Sequence, residues 1–294
     1  MSSTRFRLPD LLTKALSNAT RMRFERVILI IAIASFIIHL AVIYLLKVGL
    51  ITVDIDSELL KSPIAAIYTP FSFILIYEVY LLIFYLPRSI TTYIGKQYEI
   101  ITLIVIRRLF KDLSSLKLSS EWFQIKGDLE FTYDLIASLL LFYLIYLFHL
   151  KSKKEAVEES ETRLDISQFI AMKRGIAVLL VPVLLVMASV TLFSWSYDIL
   201  QSSDGILRLN VNDLFFDQFF TILILVDVIL LLLSFFYTDS FHKIIRNSGF
   251  IISTILIRMS FGVTGLMNTV LIVTAVLFGL LILLIHNQYE KHLE

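Results

Sequence analysis

The chain contains no cysteine. This absence excludes disulfide bonds, thiolate metal sites and cysteine nucleophiles. Glycine and proline are also scarce, at nine and five residues in 294, so there is little room for glycine-rich nucleotide loops. The sequence also lacks the HExxH and GxSxG motifs and shows no clustered metal-ligand spacing. We therefore expect no enzyme activity, no cofactor and no metal site.

Charged residues are also scarce in this chain. Charged residues make up 17% of it, against roughly 25% in soluble domains. Hydrophobic residues make up 57%, and the mean hydropathy is +0.83. This composition predicts an all-α, polytopic transmembrane helical bundle. The basic stretch 1–26 suits topology and anionic lipid better than nucleic acid, so no nucleic-acid partner is expected.

Eight segments are candidates for membrane-spanning helices. Six of them are apolar over the roughly 20 residues that a helix needs to cross a bilayer. We name these segments A, B, D, A′, B′ and D′, at 27–47, 64–86, 131–150, 175–195, 215–237 and 266–286. Two more polar segments are C, 90–110, and C′, 241–261. The predicted domains are a basic cytoplasmic tail (1–26), a four-helix unit (27–150), a charged linker (151–173) and a second four-helix unit (174–294).

The two halves of the chain look like repeats of one another. When Ser89 is placed over Ser240, SITTYIGKQYEIITLIVIRRLF aligns without gaps with SFHKIIRNSGFIISTILIRMSF, and Arg107 meets Arg258. Segments B and B′ each carry one acid, Glu78 and Asp227. Matches between isoleucines arise easily by chance in membrane proteins, so the aligned arginine and the paired acids carry the argument. We predict an internal repeat.

The distribution of basic residues predicts the topology, because cytoplasmic loops are rich in Lys and Arg. The N-terminal tail and the linker 151–173 are basic, whereas the loops after A and A′ are poor in bases. If C and C′ span, the protein has eight spans in two parallel four-helix repeats, with both termini cytoplasmic. If they lie on the surface, the repeats are inverted and the basic linker falls outside. The charge rule favours eight spans, in the cell (inner or plasma) membrane.

Segment C crosses the bilayer, in this interpretation, with charged residues along one face. A charge at the bilayer centre costs at least about 2.5–3.5 kcal/mol, so it should face protein, water or another charge. Residues eleven apart return to nearly the same helix face. Lys96 and Arg107 have this spacing in C, and Asn247 and Arg258 have it in C′. Glu99 follows Lys96 by three residues, which allows a local ion pair.

The acids of B and B′ can complete these polar faces. Glu78 could pair with Lys96, and Asp227 with Arg246 or Arg258. Such pairs either hold helices together or form part of an ion or proton path, and the sequence leaves both interpretations open.

The remaining polar residues have simpler interpretations. His39, near the middle of A, is either a hydrogen-bonded structural residue or a proton relay. Asp134, early in D, is expected at the membrane interface. His242 and His286 lie near predicted helix ends, where their polar atoms can reach the interface.

One stretch resembles part of a known membrane domain. YEVYLLIFYLPRSITTYIGKQYEIITLIVI is similar to the end of the second helix, the short cytoplasmic link and the third helix of voltage-sensor domains of ion channels. Under this resemblance Glu78 stands for the second-helix acid and Glu99 for the third-helix acid. A sensor's fourth helix carries regularly spaced basic residues, but segments D and D′ contain no lysine or arginine. The resemblance therefore implies a charged four-helix architecture rather than conventional voltage sensing.

These observations together predict translocation of protons or small cations through a charged helical bundle. The residues expected in the pathway or its gate are Glu78, Lys96, Glu99, Arg107, Asp227, Arg258 and His39. The expected partners are the lipid bilayer, a proton or small inorganic cation, and further copies of the chain in a homo-oligomer. The alternative is a non-transporting membrane sensor or anchor that signals through its linker and tail.

Overall fold

A computed structural model describes residues 14, 16–50, 63–113, 126–152, 164–201, 211–237, 240–263 and 265–292. Within these ranges the regular structure is α-helix with one short 3-10 helix, and these ranges contain no strand. The all-α class predicted from the sequence is confirmed.

The α-helices follow one another along the chain in the predicted order. We number them α1 (Asn18–Lys47), α2 (Tyr68–Tyr85), α3 (Ile90–Leu113), α4 (Lys126–Ser152), α5 (Leu164–Gln201), α6 (Val211–Tyr237), α7 (Phe241–Ser260) and α8 (Leu266–Lys291). The 3-10 helix, Pro63–Ile67, leads directly into α2. Each α-helix overlaps one of the segments A to D′, because long apolar runs with few glycines and prolines favour continuous helix.

Two described helices extend into segments that the sequence assigns to the tail and to the linker. Helix α1 begins inside the predicted tail 1–26, where the Thr20 amide donates to the Ser17 hydroxyl oxygen over 3.2 Å. This contact is a serine N-cap, which satisfies one of the free amides of the first turn. Helix α4 continues to Ser152 and α5 starts at Leu164, so the predicted linker 151–173 is helical at both ends. Residues 153–163 lie outside the described residues.

Among the residues that the structure describes, four helices are long and apolar enough to cross a membrane. They are α1, the stretch Gly127–Ser152 of α4, the stretch Gln218–Tyr237 of α6, and α8. Many of their large apolar side chains are exposed on the helix surfaces, which is the arrangement expected where lipid rather than water surrounds the protein. Four such helices agree with the prediction of a membrane protein. The predicted number of eight spans stays a prediction.

The chain packs into two compact units. Unit 1 comprises Met1–Phe84 and Gly175–Phe215, and unit 2 comprises Tyr85–Arg174 and Phe216–Glu294. This grouping by packing differs from the grouping by sequence, because each unit draws on both predicted halves. The division into two four-helix repeats stays a prediction.

In unit 1, α1 and α2 are joined by polar and aromatic contacts. The Tyr77 hydroxyl donates to Glu25 Oε2 over 2.7 Å. The rings of Phe24 and Tyr80 meet edge to face with centroids 5.0 Å apart. These contacts hold α2 against the part of α1 that precedes its apolar stretch.

In unit 2, α8 packs against α7 and α4, and α3 packs against α4 and α7. A glycine in α8 permits one of these approaches. A Cβ placed on Gly279 would lie 1.8 Å from the hydroxyl oxygen of Tyr98 in α3. That hydroxyl is 2.7 Å from Ser253 Oγ of α7, and Ser253 in turn donates to the Ala275 carbonyl over 2.6 Å. Gly279 therefore lets three helices meet at a fully buried tyrosine.

Candidate functional site

Asp227 of α6 is completely buried and is paired with an arginine. Its side chain is 0% exposed and that of Arg258, in α7, is 2% exposed. Arg258 Nη1 lies 2.7 Å from Asp227 Oδ2. The predicted pairing of Asp227 with a basic residue of C′ is confirmed, and Arg258 is the residue that makes it.

Three further side chains surround this ion pair. The Tyr93 hydroxyl donates to Asp227 Oδ1 over 2.9 Å, and the Thr254 hydroxyl lies 3.3 Å from Oδ2. Gln97 bridges the two charges, because its amide nitrogen is 3.5 Å from Oδ2 and its amide oxygen accepts from Arg258 Nη2 over 2.9 Å. We call these five residues the Asp227 network. It joins α3, α6 and α7 within unit 2.

Helical spacing explains how the sequence assembles this network. Tyr93 and Gln97 are four residues apart on α3, and Thr254 and Arg258 are four apart on α7. Residues at this spacing share one helix face, so each helix presents two polar groups to the same neighbour. Tyr93 and Gln97 are neutral, and the sequence prediction passed over them because it considered only charged residues on C.

A second polar network contains Arg108 of α3, whose side chain is 31% exposed. Its Nε and Nη2 both contact the carboxylate of Asp134 in α4, with Nη2 2.6 Å from Oδ1. Its Nη1 donates to Asn268 Oδ1 over 2.7 Å, and the Thr269 hydroxyl donates to Asp134 Oδ1 over 2.8 Å. Asp134 is only 2% exposed, and the two-pronged contact with Arg108 compensates its burial. Its predicted position at the membrane interface stays a prediction. We call these four residues the Arg108 network.

The predicted local pair on α3 is present. Lys96 Nζ lies 2.7 Å from Glu99 Oε2, and His149 Nε2 of α4 lies 2.7 Å from Glu99 Oε1. All three side chains are about one-third exposed, at 31%, 35% and 39% for Lys96, Glu99 and His149. Lys96 and Glu99 therefore belong to a half-buried cluster and not to the Asp227 network.

The other predicted residues lie elsewhere. Glu78 is buried in α2 of unit 1, at 4% exposure. Arg107 is half-buried on α3, next to the Arg108 that builds the second network. His39 is half-buried on α1, and its Nδ1 contacts the Thr69 hydroxyl of α2. A structural role and a proton relay are both compatible with this contact.

Comparison with protein-family models, with curated proteins and with solved structures finds no match to this chain. Its function therefore has to follow from the chemistry of its own residues.

Unit 2 contains one more polar cluster that the sequence prediction missed. His242 of α7 lies beside His286 and Glu290 of α8, and one ligand atom of each lies within 4.8 Å of the others. The available signal was the spacing of four residues between His286 and Glu290, which places both on one helix face. His242 comes from another helix, and sequence spacing cannot bring it to that face.

The cavities near these networks are small or apolar. A cavity beside Tyr93, lined in part by Asn247 and Ile251, has a volume of about 10 Å³. A groove of about 230 Å³ runs between α4 and α8, and the side chains that line it carry no charge. The groove is mostly apolar and therefore suits an apolar chain better than an ion.

Proposed function

We propose that the protein translocates protons or small cations across a membrane and that Asp227 is the ion-binding group. The observation that carries the proposal is the complete burial of the Asp227–Arg258 pair, on a helix that is long and apolar enough to span. Intramembrane charges are expensive and concentrate at ion pathways and proton relays. In this proposal Asp227 accepts the proton or cation, and Arg258 is the counter-charge that the incoming ion displaces.

Helix α7 supplies polar groups along the rest of the route. Its buried polar side chains run from Arg246 and Asn247, through Thr254 and Arg258, to Ser260. At about 1.5 Å per residue this stripe covers about 21 Å of the helix, against about 30 Å for the hydrocarbon core of a bilayer. Thr254 and Arg258 of the Asp227 network lie on this stripe, so α7 carries buried polar side chains both before and after the point where it meets Asp227.

The proposed arrangement in the membrane has eight spans. Helices α3 and α7 cross together with the more apolar helices, the two predicted halves are parallel repeats, and both termini are cytoplasmic. The support is the basic tail and linker, which the positive-inside rule places in the cytoplasm. The membrane in this proposal is the inner or plasma membrane of the cell.

The test of translocation is ion flux into liposomes that carry the purified protein, with proton, potassium and sodium gradients imposed in separate runs. We expect selective flux with one gradient. Asp227→Asn should lose this flux, because the neutral amide neither binds a proton nor carries the negative charge that attracts a cation. Asp227→Glu keeps the carboxylate and should retain part of the flux. Glu25→Gln is the matched control, since Glu25 also accepts a hydrogen bond from a tyrosine, Tyr77, but lies in unit 1.

Two results would contradict the proposal. The first is the absence of flux under every gradient and voltage from folded protein. The second is equal loss of flux in Asp227→Asn and Glu25→Gln, because a pathway through the Asp227 network should not depend on the control residue.

A non-transporting membrane sensor or anchor is the second candidate function. It is favoured by the closed hydrogen bonding of the Asp227 network and by the small cavity beside Tyr93, whose volume of about 10 Å³ barely admits one water. In this case the buried charges hold helices together, and signalling would use the linker sequence KEAVEESETRLD. This candidate predicts no flux, and it predicts that changes in the linker abolish function while leaving the fold intact.

A further inference from the structure

His242, His286 and Glu290 converge where α7 begins and α8 ends. Glu290 Oε1 lies 3.2 Å from His286 Nε2 and 3.7 Å from His242 Nε2. The two imidazole rings are nearly parallel, with centroids 5.2 Å apart and an angle of 23° between their planes. His286 is buried, whereas the side chains of His242 and Glu290 are 14% and 27% exposed. Three ligand atoms therefore lie within 4.8 Å of one another, and two of the side chains that carry them are partly exposed.

The separations suit a small dication. Zinc bonds of about 2.0–2.1 Å in a tetrahedral site place neighbouring ligand atoms about 3.4 Å apart. The two distances from Glu290 Oε1 lie on either side of this value. Two imidazoles and one carboxylate form a donor set that zinc uses in proteins, and three protein ligands leave one position open for water or another ligand.

We propose that His242, His286 and Glu290 form a binding site for a transition-metal dication of the Zn²⁺ class. The site ties the first turn of α7 to the last turns of α8. It includes no member of the Asp227 network, so it stands independently of the proposed ion translocation.

Arg246 is the neighbouring charge that the metal must overcome. Its Nη1 lies 3.1 Å from His286 Nε2, and its Nε and Nη2 each lie 3.2 Å from the side-chain oxygen of Asn247. The guanidinium thus competes with a metal for the same imidazole nitrogen and repels a dication. Removal of this charge should therefore tighten metal binding, whereas a purely structural His286–Arg246 contact predicts no such gain.

The test uses the full chain, purified in detergent and stripped with a chelator, then titrated with Zn²⁺ and with Co²⁺ as a spectroscopic probe. We expect one ion per chain and a tetrahedral cobalt spectrum. His242→Gln and Glu290→Gln should each weaken Zn²⁺ binding more than about 100-fold, because even the outer partners of metal ligands contribute about 10–100-fold. Arg246→Gln should strengthen it. Both ligand variants alter partly exposed side chains and should leave the fold intact, which circular dichroism would verify.

The matched control is His292→Gln. His292 is the exposed residue that follows α8, so its loss should leave zinc affinity unchanged. The proposal is overturned if the wild-type chain binds no stoichiometric zinc, or if His292→Gln weakens binding as much as His242→Gln does. Neither result bears on ion flux, so this proposal and the translocation proposal can fail separately.

Discussion

At the scale of single residues, the stability of unit 2 depends on how its buried charges are compensated. An interhelical hydrogen bond in a membrane protein contributes about 0.6 kcal/mol on average and at most about 1.7 kcal/mol. Removing one partner of a buried ion pair costs far more, about 3–5 kcal/mol, because the other charge is left uncompensated. Asp227 makes both kinds of contact, with Tyr93 and with Arg258. The two contributions can therefore be separated by substitution.

Asp227→Asn should destabilise the protein by about 3–5 kcal/mol, whereas Tyr93→Phe should cost no more than about 1.7 kcal/mol. The double variant Asp227→Asn with Arg258→Gln should be less destabilised than the sum of its single variants, because it leaves no unpaired charge. Denaturant unfolding in detergent micelles measures the free energies of unfolding of the wild type and of the four variants, which include the single variant Arg258→Gln. Additive single-variant effects would mean that the ion pair carries no coupling energy.

At the scale of helices, the positions of the elements were predictable and the polar face of α3 was not. Apolar runs of about 20 residues locate a helix whatever its neighbours are. The eleven-residue rule was right for α7, where Asn247 and Arg258 are both buried. On α3 it was applied from Lys96, whose long side chain reaches Glu99 instead. Gln97, in contrast, is buried. The residue eleven positions after Gln97 is Arg108, which contacts Asp134 and Asn268.

The sequence alone does not reveal which side of α3 packs against the neighbouring helices. A lysine can bury its stem and turn its charge away from the core, so a charge does not by itself identify the packed side of a helix. Neutral polar groups such as Tyr93 and Gln97 mark that side more reliably here. Partners from different helices, such as Arg108 and Asp134, depend on tertiary packing and could not be paired by spacing.

The close approach of α3 and α8 gives a second prediction. Alanine ordinarily favours helix over glycine by up to about 1 kcal/mol. At Gly279, however, the added methyl group would lie 1.8 Å from the Tyr98 hydroxyl oxygen. Overpacking of this kind costs about 1–3 kcal/mol, so Gly279→Ala should lower the free energy of unfolding measured in detergent micelles. Combination with Tyr98→Phe, which removes that oxygen, should recover part of the loss.

Gly127→Ala is the control for this substitution. A Cβ at Gly127 meets nothing within 4 Å, so the variant should be neutral or slightly stabilised. Equal destabilisation of Gly127→Ala and Gly279→Ala would show that the contact with Tyr98 does not set the cost.

At the scale of the whole molecule, the number of spans decides the orientation of everything after α3. With eight spans the end of α4 is cytoplasmic. With six spans α3 lies on the membrane surface and does not cross, so the end of α4 lies outside. With the proposed cytoplasmic N-terminal tail, both arrangements place the end of α1 outside and the turn between α2 and α3 inside. The chain has no cysteine, so single cysteines can report these positions without a background signal.

Ser152→Cys is the deciding variant, because Ser152 is the last residue of α4 and cysteine is close to serine in size. We expect it to be protected from a membrane-impermeant maleimide in intact cells and labelled after detergent is added, since the neighbouring linker is basic and should face the cytoplasm. Val48→Cys should be labelled in intact cells and Ser89→Cys protected, and both positions are exposed on the protein surface. Labelling of Ser152→Cys in intact cells, with both controls as expected, would show that α3 does not cross the membrane and would contradict eight spans. If the predicted repeat holds, α7 would then lie outside the bilayer as well, and with it the polar stripe on which the proposed ion route depends.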